Sequence, residues 1–159
     1  MTPQLVTAQT LRDAIAGQTG VLAELADAGY YLVSAEWLDG PFASGYYDFL
    51  NLFGLLDWKP ETNDCDKFSG WATSVATALH ARTAQKMGLP PGGLAWGVWR
   101  YKPDWSPTRH SINWFAYGVP VSEQHPEGIA IGYFECNGRQ RLVVKLSDPE
   151  IISCFQCAN

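Results

Sequence analysis

Cys65, His110 and Glu135 are the residues of this chain whose types and order could together open an acyl bond. The cysteine falls in Asn63-Asp64-Cys65-Asp66, directly ahead of a helical pattern from about Asp66 to Met87, which sets it on a first helical turn. Unpaired backbone N–H groups and the positive end of the helix dipole favour an anion there, so a thiol is drawn towards its nucleophilic thiolate. Such a nucleophile needs a proton carrier, a group that orients the carrier, and donors for the developing oxyanion. His110 opens an extended segment and is the natural proton partner.

Geometry selects the acid. If Val119 and Gly128 close a hairpin, Ile112 faces Glu135 and His110 faces Asn137, which makes Glu135 a diagonal neighbour of His110. Glu127 then lies at the far end of the hairpin, roughly 25–30 Å away at ~3.3 Å per residue, out of reach. The backbone N–H of Cys65 supplies one oxyanion donor, with Asn63 or the Trp58–Lys59 segment as sources of a second. Trp58, Trp99 and Trp114 are candidates for lining a substrate groove. Each residue taken alone has an ordinary reading: a small apolar cysteine, Asp64 as a helix N-cap, Asp66 as a dipole partner, Glu135 as an edge charge. The ordered set points to a catalytic triad. His80 and His125 are read as solvated.

The elements that must hold these residues fall into two halves. Thr10 with Asp13 resembles a capping box, and Leu11, Ile15, Val21, Leu22 and Leu25 predict one interrupted or two short helices to about Ala28, with Gly17 and Gly20 as dividing points. A short extended piece is expected over Tyr30–Val33 and a helix over Tyr46–Leu56. In the nucleophile helix Phe68, Trp71, Ala72, Val75 and Leu79 keep the rhythm of one buried face, and Gly88 followed by Pro90 and Pro91 ends it. Beyond that point the period becomes two. Residues 94–101, 110–119, 129–136, 141–146 and 150–155 predict four to five antiparallel strands. Helices first and sheet second define an α+β domain, with a helical part over about 8–88 and a sheet part over about 93–156.

Composition bounds the rest. The 159 residues, 47% hydrophobic, suit one domain with a sizeable core, and seven each of Trp, Tyr and Phe favour aromatic-lined surfaces as well as an aromatic interior. A net charge of −5 without a Lys/Arg cluster argues against nucleic acid as a partner. No apolar run is long enough for a membrane helix. Met1-Thr2-Pro3-Gln4 lacks a basic stretch followed by an apolar one, so a cytoplasmic protein is expected. Of the four cysteines, Cys154 and Cys157 have metal-ligand spacing, and Cys136 with His80 or His125 would be needed to complete a zinc site.

The segment from Trp58 to Phe68, WKPETNDCDKF, resembles the active-site stretch of the C-terminal protease domain of fungal agglutinins related to the Marasmius oreades lectin, a family with small relatives in phage and bacterial proteins. His110-Ser111-Ile112-Asn113-Trp114 resembles its histidine segment, and Tyr133-Phe134-Glu135 its glutamate strand. The resemblance implies a papain-like fold with Cys65, His110 and Glu135 as the triad and Trp58 near the site. It also implies activation by calcium or manganese through acidic residues about the cysteine, here Asp64, Asp66 and Glu61, whose oxygens suit hard cations. The family often carries an aspartate where this chain has Lys67. The expected activity is a thiol hydrolase acting on a peptide or isopeptide-type amide of a peptide or protein substrate. The same residues would support transglutaminase-like acyl transfer. A non-enzymatic binder on this fold, such as a phage protein occupying a host target, is the rival from another class.

Overall fold

The computed structural model describes residues 3–57, 59, 64–136, 142–154 and 156–158. Its helices are α1 (Ala8–Thr19), α2 (Ala35–Trp37), α3 (Ala43–Leu52), α4 (Cys65–Met87) and α5 (Asp148–Ile152). Strands β1 (Leu5–Thr7), β2 (Gly29–Tyr31) and β3 (Gly93–Leu94) form a small sheet in that order. Strands β4 (Trp96–Tyr101), β5 (His110–Gly118), β6 (Ile129–Glu135), β7 (Leu142–Val144) and β8 (Gln156–Ala158) form an antiparallel sheet ordered β7-β6-β5-β4-β8. The architecture is α+β, as the change of period indicates.

Helix α4 forms where the sequence places it. Asp64 holds an extended conformation and its Oδ1 accepts the Lys67 N–H at 3.3 Å, which satisfies one end donor. At the other end Gly88 sits at φ 61°, and its N–H closes on the carbonyls of Ala84 and Gln85; a left-handed residue there is cheap only for glycine. Between these caps Phe68, Ala72 and Ala76 are buried, with Trp71 and Val75 partly so.

The β5–β6 register is the one the hairpin argument requires. Asn113 faces Phe134, Tyr117 faces Ala130, and the Val119 N–H donates to the Gly128 carbonyl at 2.9 Å. Alternation along β5 then sorts the two faces. Ile112, Trp114 and Ala116 join Leu11, Ile15, Tyr30, Trp99 and Tyr133 in one core beneath α1. Phe115 joins Phe42, Tyr46, Leu50, Phe68, Trp96 and Phe134 in a second core beneath α3 and α4. Burying an aromatic side chain contributes about 2–3 kcal/mol, so these rings dominate the docking of helices on sheet.

Three expectations are revised. Helix α1 ends at Thr19 instead of continuing towards Ala28, because Gly20 takes φ 70° as its C-cap, and its N-cap is Thr7, not Thr10. Helix α3 stops at Leu52, and it is preceded by α2 and a π-helical turn over Leu38–Phe42 that contains Pro41, a residue without an N–H to give. The segment expected as a strand over 150–155 is largely α5. Ser147 caps it reciprocally with Glu150, Pro149 lies in its first turn, and the strand begins only at Gln156. Among the described residues no helix is long and apolar enough to cross a membrane.

Candidate active site

Cys65 is the first residue of α4 and is half-buried. The Asp64 side chain and carbonyl take the N–H groups of Lys67 and Phe68, leaving those of Cys65 and Asp66 as the helix-end donors nearest the sulfur. His110 opens β5 and stands opposite Tyr101 of β4, while Glu135 closes β6. The His110 Nε2–H donates to Glu135 Oε2 at 2.7 Å, with only 10% of the histidine side chain and 19% of the glutamate side chain exposed. That bond occupies Nε2 and leaves Nδ1 for the sulfur.

The electrostatics follow from these contacts. Burial by itself lowers the imidazole pKa. Hydrogen bonds with Cys65 and Glu135, together with their charges, outweigh it and push His110 up to about 9. His110 is therefore an imidazolium over the neutral range. Tyr101 is pushed up as well, chiefly by burial and then by the charges of Glu150, Glu135 and Cys65, so its phenol stays neutral beside the site. The second carboxylate oxygen of Glu135, Oε1, is buried without a partner among the described residues.

Two aromatic rings meet the imidazole edge-on: Tyr101 at 5.8 Å and Trp105 at 5.4 Å between centroids. Neither is among the sequence-derived site residues. Trp105 lies in the Pro-rich turn ahead of His110, and its nearness in sequence was the available signal. By contrast, Trp114 and Trp99 line no groove. Both are fully buried in the core beneath α1, and the Trp114 Nε1–H donates to the Ala158 carbonyl at 3.3 Å across Gly97, where any Cβ would collide with that same carbonyl oxygen. Their apolar bulk went to packing. Trp58 and Asn63 lie outside the described residues, as does Glu61.

The described acidic residues near the cysteine, Asp64 and Asp66, do not by themselves fit a calcium or manganese cage. Asp64 caps α4 and faces Lys67 Nζ at 3.5 Å, and Asp66 faces Arg100 Nε at 3.6 Å. Both carboxylates thus have organic cations as partners, and among the described residues no three His, Cys, Asp or Glu side chains converge on a metal position. Among the described residues the Cys154/Cys157 pair gathers no further ligands either. Cys157 is buried on β8, and the Cys154 thiol donates to the Gln156 carbonyl at 3.4 Å. His80, expected in solvent, is instead half-buried, bonded to the Gly92 carbonyl and in ring contact with Tyr31.

The fold and the site define an α+β domain in which a helix N-terminus offers a cysteine to a histidine–glutamate pair on a sheet. No family model matches the chain, and no curated protein does. Among solved structures it resembles one described as a PSL1a-E64 complex, with a TM-score of 0.62 at 13% identity. The match covers 98% of this chain and 51% of that one, so the chain spans about half the length of its structural relative. At that identity the likeness shows a shared fold.

Proposed function

We propose that the protein is a thiol hydrolase that cleaves a peptide or isopeptide-type amide through Cys65, His110 and Glu135. The observation that carries this reading is the 2.7 Å hydrogen bond from His110 Nε2 to Glu135 Oε2, made by a ring whose burial lowers its pKa but which Cys65, at the start of α4, and Glu135 together hold up. Cys65 attacks the carbonyl carbon. The N–H groups at the start of α4 meet the oxyanion, His110 delivers its proton to the departing nitrogen, and Glu135 keeps the ring facing the sulfur. Further support comes from the structural relative, whose partner E64 is an inhibitor of cysteine proteases. The motif resemblance to the agglutinin protease domains points the same way, and it is the basis for a papain-like assignment.

An imidazolium and a helix N-terminus both favour negative charge on the sulfur, which provides a substrate-free test. Iodoacetamide should alkylate Cys65 at pH 6 at least about tenfold faster than a free thiol, and His110→Ala should remove the advantage. Equal rates for the wild type, the variant and a free thiol would refute the hydrolase reading and leave the binder reading in its place.

A further inference from the structure

We propose that Trp105 is the specificity-determining residue for the amine side of the substrate, forming an apolar platform under the residue that contributes the scissile nitrogen. This rests on the hydrolase reading above and specifies what that site accepts. Single exposed hydrophobic side chains are ordinary on protein surfaces. Trp105 differs from them in one respect: although 71% exposed, its ring is in T-shaped contact with that of the proton carrier.

The loop joining β4 to β5 is anchored just ahead of Trp105. The Asp104 N–H donates to Glu150 Oε1 at 3.1 Å, and Asp104 Oδ2 accepts the Ser147 hydroxyl at 2.8 Å. Two residues earlier the Lys102 N–H donates to Ser153 Oγ at 2.9 Å, and that hydroxyl returns a bond to the Lys102 carbonyl at 3.0 Å. Glu150 is buried in α5, and its other oxygen takes the Ser147 N–H at 3.0 Å, so this carboxylate is fully engaged in holding the turn. The loop is thus tied to α5 on the N-terminal side of Trp105, and the indole and the His110 ring lie T-shaped with centroids 5.4 Å apart. A shallow cleft of about 500 Å³ opens beside it, with Pro103, Pro107 and Pro149 among its walls.

The chemistry gives the platform its role. His110 must reach the nitrogen that leaves, so whatever hangs from that nitrogen lies on the His110 side of the scissile bond. An exposed indole bordered by prolines offers that group apolar area, and the two charges that share the cleft, Lys102 and Asp104, oppose one another and leave no net counter-charge. The ligand class is therefore an aliphatic or aromatic amino-acid residue. An extended hydrophobic side chain gains about tenfold over a missing one in such a contact.

Acyl transfer tests this without knowledge of the acyl-side preference. p-Nitrophenyl acetate acylates Cys65, forming the S–C bond as nitrophenolate leaves and the His110 imidazolium gives its proton to the leaving group or to water, so that the ring is neutral in the acyl-enzyme. An added amine then attacks the thioester carbon, the C–S bond breaks, and the amine proton passes to His110. By microscopic reversibility the amine binds where the leaving amine departs. With leucinamide and glycinamide at equal concentration, wild type should yield about tenfold more acetyl-leucinamide than acetyl-glycinamide. In Trp105→Ala the ratio should fall to near one, while Trp105→Phe, which keeps an aromatic face, should retain most of it. The ratio is internal to each acyl-enzyme and does not depend on how fast that variant acylates. A wild-type ratio near one, acetate as the only product, or an unchanged ratio in Trp105→Ala would overturn the assignment. Absence of any nitrophenolate burst beyond that of Cys65→Ala would instead overturn the hydrolase reading beneath it.

Discussion

His110 carries the most information of any single residue, because its protonation reports both of its partners. Its pKa stands near 9 only while Cys65 and Glu135 hold the ring, since burial alone would pull it down. Removing the glutamate charge should therefore move it towards the ordinary value of about 6.5. The imidazole resonances of His110, followed by NMR titration, should give a midpoint near 9 in wild type and a clearly lower one in Glu135→Gln. The stability consequence has a fixed sign. A folded pKa raised above the unfolded one contributes stability that is complete below about pH 6.5 and is lost as pH climbs through 9, on the order of 2–3 kcal/mol for this partly buried ring. Urea unfolding at pH 6 and pH 9.5 should show that loss in wild type and a flatter profile in His110→Ala. At this scale the sequence was most legible where a residue's place followed from the backbone. Cys65 after a capping aspartate and Glu135 diagonal to His110 are instances. It was least legible for the tryptophans, since one indole suits a core and a groove equally, and only the sheet's faces put Trp99 and Trp114 inside and left Trp105 out.

Elements meet through a buried polar cluster on the α4 side of β5. Asn113 is fully buried, and its Nδ2 donates to the Ser69 carbonyl at 3.1 Å, Thr73 Oγ1 at 2.9 Å and the Gly97 carbonyl at 2.9 Å. Its Oδ1 accepts the Cys136 thiol at 3.1 Å, and Ser111 and Ser69 share a hydroxyl bond of 2.7 Å beside it. One amide thereby joins α4 to β4, β5 and the residue that follows Glu135. Asn113→Leu keeps the volume but strands the carbonyls and hydroxyl that the amide served. It should cost about 2–4 kcal/mol in urea unfolding, and a surface change such as Gln9→Ala should cost little. Sequence periodicity found α4, β5 and β6 because apolar alternation and caps agreed there. It missed α5 because Ile151 and Ile152 look like strand residues, although Ser147-Asp148-Pro149-Glu150 carries a reciprocal cap that favours a helix. It overran α1 because the apolar positions continue past Gly20, where the left-handed backbone turns the chain away.

Across the whole molecule the three residues come from places far apart in the chain, and only the docking of α4 onto the sheet unites them. The two cores sit on opposite faces of that sheet, so neither helix layer can leave without exposing rings of the strands that carry His110 and Glu135. The site should therefore exist only while both cores are closed, which makes its reactivity a gauge of global folding. In increasing urea, the alkylation advantage of Cys65, the change in tryptophan fluorescence and the loss of helical circular dichroism should fall on one transition with a common midpoint, as in two-state unfolding. An α4 that peeled off first would lose the alkylation advantage and part of the helical signal at lower urea, while Trp99 and Trp114, packed under α1 on the other face, would keep their fluorescence. That separation would mean the core beneath α4 is held more weakly than its buried rings imply. It would also place Cys65 on a unit able to undock from the histidine–glutamate pair while the sheet stays folded.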